Sequence, residues 1–84
     1  MNIYVANLSF NIQDTELRKL FSAYGEVSSA KVIMDKFSNR SKGFGFVEMP
    51  NEHDGQKAIK ELYGTMVDGR SITVNPARPK KENW

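Results

Sequence analysis

The sequence predicts an α+β fold, a single domain of four strands and two helices in the order strand, helix, strand, strand, helix, strand. Three observations carry that expectation. Apolar positions alternate at Ile3-Tyr4-Val5, Ala30-Lys31-Val32-Ile33, Gly43 to Met49 and around Ile72 and Val74, which is the period of a half-buried strand. Leu17, Leu20 and Phe21, and later Ala58, Ile59 and Leu62, recur instead at helical spacing. A chain of 84 residues holds one core, because at this size only roughly 60% of the unfolded surface is buried.

The first strand runs from about residue 2 to Asn7. A helix follows from Asp14 to about Ala23, with Asp14 and Glu16 in its first turn, where negative charge meets the positive end of the helix dipole, and Gly25 as its stop. The second strand, at Ala30 to Ile33, leads into the polar stretch Asp35 to Ser41, a loop in which Asn39 suits a left-handed turn. The third strand spans Gly43 to Met49 and ends at Pro50. Asn51 then reads as an N-cap for a second helix that runs through Leu62 and stops at Gly64. Gly55 inside it costs roughly 0.5 to 1 kcal/mol of helix stability and points to local mobility. Asp68-Gly69 signals a tight turn, with Met66 on a short hairpin, and a last strand around Ile72 and Val74 precedes Pro76 and Pro79. This order is the split pattern of ferredoxin-like folds, a four-stranded antiparallel sheet with two helices on one face.

Composition excludes several functions. The hydrophobic fraction is 39% and the charged fraction 26%, which suits a folded domain and no membrane span, since no apolar run approaches about 18 residues. Without cysteine there is no disulfide and no zinc site of the usual kind, and neither metal nor cofactor is expected. A net charge of +2 is too small to identify a nucleic-acid binder, but the charges are unevenly spread. Arg40, Lys42, Arg70, Arg78, Lys80 and Lys81 lie in the second half, and Asp14, Glu16 and Glu26 in or beside the first helix.

Two helices cover one face of a four-stranded sheet, so function lies with the side chains on the other face. Alternation puts Ile3 and Val5 on one side of the first strand and Tyr4 on the other. On the third strand Gly43, Gly45, Val47 and Met49 share a side, opposite Lys42, Phe44, Phe46 and Glu48. Val47 and Met49 are the natural core set, and Gly43 and Gly45 would let a helix approach the sheet. Tyr4, Phe44 and Phe46 are then left together on an open face, an apolar cluster that marks an interaction site. By the same alternation Lys31 and Ile33 join them from the second strand, and Thr73 and Asn75 from the fourth. Phe10, Phe21, Tyr24 and Tyr63 read as core or core edge, and Met34 and Met66 as packing. Phe37, an aromatic in a polar loop, fits either a fold-back onto the domain or an extension of the aromatic surface.

Ile3-Tyr4-Val5-Ala6-Asn7-Leu8 resembles the six-residue ribonucleoprotein motif of RNA-recognition-motif domains. Lys42-Gly43-Phe44-Gly45-Phe46-Val47-Glu48-Met49 resembles their eight-residue motif at seven of eight positions, Met49 standing where an aromatic is expected. The resemblance covers residues 2 to about 78. It implies a module for single-stranded RNA, with single-stranded DNA as a weaker ligand, in post-transcriptional regulation or RNA chaperoning. Tyr4 and Phe46 would each stack on a base, Phe44 would pack on a sugar or between nucleotides, and Lys42 would pair with a phosphate. Asn75 would read base edges, helped by Lys31, Ile33, Thr73, Glu48 and backbone groups at Ala77 and Arg78, while Arg40 would clamp the backbone from its loop. Residues 1–78 then form the binding domain and 79–84 a flexible basic tail.

The rival within the same fold is a protein-interaction domain, whose mark would be loss of the three platform aromatics. An enzyme is not expected. Leu8 to Asp14 offers no arginine-bearing anion loop, and Glu48 and His53 have no partners for acid–base or nucleophilic chemistry. The chain is expected to be monomeric. It also resembles the short single-domain members found in bacteria, which would place it in the cytoplasm; a piece of a eukaryotic protein would be nuclear or cytoplasmic.

Overall fold

The computed structural model describes residues 1–77 and has the expected order of elements, including the short hairpin at Met66. They are β1 (Asn2–Ala6), α1 (Asp14–Ser22), β2 (Ser29–Met34), β3 (Ser41–Glu48), α2 (Glu52–Leu62), the hairpin β4 (Met66–Val67) and β5 (Arg70–Ser71), and β6 (Thr73–Pro76). Arg78 and the tail 79–84 lie outside the described residues.

β2, β3, β1 and β6 form one antiparallel sheet in that order, so the two strands that carry the aromatics lie side by side at its centre. Both helices pack on the same face. Ile3, Val5, Val32, Val47, Met49 and Val74 point at them from the sheet, and Leu17, Phe21, Ala58 and Leu62 meet these from α1 and α2, all buried. The helix starts are tied by side chains. Asn51 accepts from the backbone N–H of Asp54 at 3.1 Å, as its place before α2 predicts. Asp14 accepts from the backbone N–H of Val32 at 2.7 Å, which gives a donor on edge strand β2 a partner and pins α1 to it.

Two glycines of β3 do different work. A methyl on Gly45 would meet Lys31 O at 2.5 Å and Leu17 Cδ2 at 3.2 Å, so this position admits the close approach of α1 and β2. Gly43 lies under no helix, contrary to expectation. Its φ of +87° lies where side chains are strained, and it serves a register slip in which β2–β3 pairing jumps from Val32–Gly45 to Met34–Ser41. Asp68 and Gly69 both take positive φ, the geometry of a two-residue hairpin turn between β4 and β5. Gly55 is buried because the Met1 side chain covers it, with Sδ 2.7 Å from where a Cβ would stand.

Candidate nucleic-acid interface

Register turns the open face into cross-strand rows. Lys31, Phe46, Tyr4 and Asn75 lie side by side across β2, β3, β1 and β6. One row along, Phe44, Ala6 and Thr73 are neighbours, with Ile33 on β2 beside the register slip. In the other direction Ser29, Glu48 and Asn2 form a polar row, and the Ala77 N–H donates to Asn2 O at 2.8 Å. The alternation of buried Ile3, Val5, Val32, Val47 and Val74 with these positions is what presents them together.

Three rings occupy the middle. Tyr4 lies 5.4 Å from Phe46 and 5.8 Å from Phe44 between centroids, tilted to both, and Phe44 meets Phe46 edge-on at 6.4 Å. These are favourable aromatic geometries, so the rings hold one another in place while Phe46 remains 41% exposed. Met49, the departure from the eight-residue pattern, is fully buried and belongs to the core cluster. Lys31, Lys42 and Glu48 are exposed at the margins of the rings, and Thr73 and Ile33 are half-buried. Lys42 and Arg40 enter the same end of the sheet, Arg40 from the β2–β3 loop. That loop is ordered by Asp35, whose carboxylate accepts from the N–H groups of Phe37 at 2.7 Å and Ser38 at 3.4 Å; these two bonds, and nearby Lys42, hold its carboxyl below the usual range.

The structure thus brings together Tyr4, Phe44, Phe46, Lys31, Ile33, Lys42, Glu48, Thr73 and Asn75, with Arg40 beside them. Ala77 is half-buried with its N–H committed to the sheet, so that donor does not face a ligand. Arg78 lies outside the described residues.

Four side chains expected in the core or in packing are instead exposed: Phe10, Tyr63, Met34 and Met66. All four sit in or beside connections, where a periodic pattern no longer dictates direction. Phe10 is 64% exposed, and its ring edge approaches Gly43, whose missing Cβ would lie 3.6 Å from Cε1. Phe37 is wholly exposed, so it does not fold back. Among the described residues no group of three or more His, Cys, Asp or Glu side chains is arranged to hold a metal ion, and no helix is long and apolar enough to cross a membrane.

Known proteins with this pattern are numerous. The sequence profile described as the RNA recognition motif matches residues 3–73. The 28 kDa chloroplastic ribonucleoprotein of Nicotiana sylvestris is 45% identical over 84 residues, covering 98% of this chain and 30% of that protein. The crystal structure of RNA binding protein PG1 superposes with a TM-score of 0.90 at 46% identity, covering 95% of this chain and 99% of that one. A Sxl-lethal protein/RNA complex gives a TM-score of 0.89 at 36% identity, over 96% of this chain and 48% of that one. The chain spans about 30% of the length of the curated relatives it matches.

Proposed function

The chain belongs to the RNA recognition motif family, and from that membership we propose that it is a single-stranded RNA-binding module acting through its open sheet face. The observation that carries the proposal is the central triangle of Tyr4, Phe44 and Phe46, a preformed apolar surface with cations at its edge. Bases have two apolar faces and a polar rim. An aromatic platform therefore accepts any base, with about 1 to 3 kcal/mol per stacked base, and leaves identity to groups at the rim.

Roles follow from position in the rows. Phe46 and Tyr4 are direct neighbours and carry the bases, while Phe44, one row on and more covered, supports a sugar or the step between nucleotides. Lys42 and Arg40 meet phosphates and Lys31 assists from β2. Asn75 stands beside Tyr4 with both an acceptor and donors, which makes it the foremost reader of a base edge; Thr73 and Glu48 flank the platform on either side. Residues 1–78 suffice for this activity, the module binds as a monomer, and basic residues of the tail add salt-dependent attraction. The named relative is a chloroplastic ribonucleoprotein, which supports a post-transcriptional role and adds the organelle to the compartments considered for this chain, the bacterial cytoplasm and the eukaryotic nucleus and cytoplasm.

The test is titration of single-stranded RNA with the wild-type protein and a Phe44→Ala/Phe46→Ala variant whose fold is checked by circular dichroism. Near-complete loss of binding in a folded variant is expected; unchanged affinity would refute the platform.

A further inference from the structure

We propose that Glu48 selects guanine on Phe46, its carboxylate accepting from the N1–H and N2 amino group of a base stacked there while Lys31 donates to O6 and N7. The inference rests on the RNA-binding reading of the sheet face and names the base that one position of that face takes. Among the described residues that β1, β2, β3 and β6 turn to the open face, Glu48 is the one carboxylate. A negative charge there repels the backbone of every RNA, so it weakens binding unless a base supplies donors to it. Its cross-strand neighbours, Ser29 and Asn2, are exposed and uncharged, so no cation directly opposite neutralises it. The backbone beneath it is fixed. β3 is paired on both sides at this point, and Glu48 O accepts from the Ser28 N–H at 2.8 Å and from the Ser28 hydroxyl at 3.0 Å. A side chain on a strand held in this way presents its acceptors within a narrow region.

Two neighbours of Phe46 frame the base. Glu48 is two residues along β3 on the same face, about 7 Å away. Lys31 lies directly across from Phe46 on β2, with Cβ atoms about 5 Å apart. Both are exposed and long enough to reach the rim of a base over the Phe46 ring. One approaches along the strand and the other across it, so acceptors and donors meet adjacent edges of the base. Guanine has that pattern. Its N1–H and N2 amino group stand side by side on one edge, where a carboxylate takes both, and O6 and N7 are acceptors on the next. Adenine offers its N6 amino group beside the N1 acceptor, cytosine its N4 amino group beside N3, and uracil a single N3–H between two carbonyl oxygens. Each of these sets a lone pair against the carboxylate. Asn75 is separated from Phe46 by Tyr4, so the two readers serve different bases.

The experiment uses fluorescence anisotropy with oligouridylates that carry one guanosine, adenosine or inosine, moved through the sequence in steps. Comparing purines keeps the stacking similar. At the position over Phe46, guanosine binds the wild-type protein tighter than adenosine by about 5- to 150-fold, the discrimination of one bidentate pair, and inosine, which lacks the N2 amino group, falls between. In Glu48→Gln the preference for guanosine falls toward one. Glu61→Gln removes the same charge from the exposed side of α2, on the opposite face of the sheet, and keeps the preference. The guanosine-to-adenosine ratio is the readout, because a change of net charge moves both affinities alike. Lys31→Ala lowers the ratio in part; a ratio unchanged there overturns the share given to Lys31. A wild-type protein that binds both purines alike, or a preference that survives in Glu48→Gln, overturns the proposal and leaves the platform standing. Failure of the wild-type protein to bind any of these RNAs overturns the platform reading and the Glu48 selection with it.

Discussion

A Phe46→Leu variant keeps an apolar side chain on the open sheet face and loses the planar ring, so its effects on folding and on RNA binding can be weighed separately. Phe46 is 41% exposed and lies outside the buried core. Leucine covers much of the same β3 surface, and the loss falls on the ring contacts with Tyr4 at 5.4 Å and Phe44 at 6.4 Å. Such aromatic pairs are worth about 0.5 to 1.5 kcal/mol beyond area, so the variant should lose about 1 kcal/mol of stability. Against a total of about 5 to 15 kcal/mol it stays folded. Binding falls further. Removing a stacking face altogether costs about 1 to 3 kcal/mol per base, and leucine retains part of the apolar contact, which leaves about 1 to 2 kcal/mol, or a 5- to 30-fold weaker Kd. Anisotropy titration of a labelled single-stranded RNA reads the affinity, and urea denaturation of the same preparation reads the stability. Because no charge changes, the slope of log affinity against log salt should match wild type. A folded variant that binds within twofold of wild type would show that bases do not stack on Phe46.

Lys42→Ala should do the converse: affinity falls for all RNA sequences alike, and the salt slope becomes shallower by about 0.7 for the one phosphate contact removed, as read from titrations at several salt concentrations. Phe21→Leu, at a fully buried position, should instead cost about 1 to 3 kcal/mol in urea denaturation while the folded fraction binds RNA normally; reduced affinity per folded molecule would contradict the division between core and platform. Asp68 has a depressed carboxyl pKa in the folded protein, so its bonds to Ser9 and Asn11 stabilise the β1–α1 loop at neutral pH, and that contribution is lost as pH falls below the ordinary value of 3.8 and through the folded one. Protection of the loop amides, their exchange rate measured against that of an unstructured chain at the same pH, should therefore fall on acidification in wild type and show no such step in Asp68→Asn. Gly55→Ala gains roughly 0.5 to 1 kcal/mol of helix stability, and its methyl meets the flexible end of Met1 rather than backbone. Thermal unfolding should show a change between neutral and slightly stabilising, and a loss above about 2 kcal/mol would mean that Met1 cannot move aside.

Legibility differed between regular elements and connections. Parity with Ile3, Val5, Val47 and Met49 turns Tyr4, Phe44 and Phe46 outward, and the packing agrees at every one of these positions. Asn51, Asn39 and Asp68-Gly69 were readable because each conformation has a local chemical cause, a cap or a left-handed turn. The same parity assigns Gly43 to a helix contact, and the register slip gives it another task, because a slip depends on what the partner strand does. Hydrophobicity alone points Phe10, Tyr63, Met34 and Met66 inward, and all four are exposed. Their direction depends on which surface lies beneath each connection once the chain has closed.

By itself the sequence determined the element order, the two faces of the sheet and the aromatic set on the open one. Each of these follows from periodicity within a few residues of chain, and a strand that must bury one face has no freedom over the other. The tertiary structure decided what residues far apart in the chain do together. Asn75 stands beside Tyr4 only because β6 pairs with β1, and Lys31 beside Phe46 only because β2 pairs with β3. Phe10 stands out in water because Asp68, 59 residues from Ser9, holds the loop from a separate hairpin. Pairing and anchoring over such distances are settled by closure of the whole core, which no local stretch of sequence encodes.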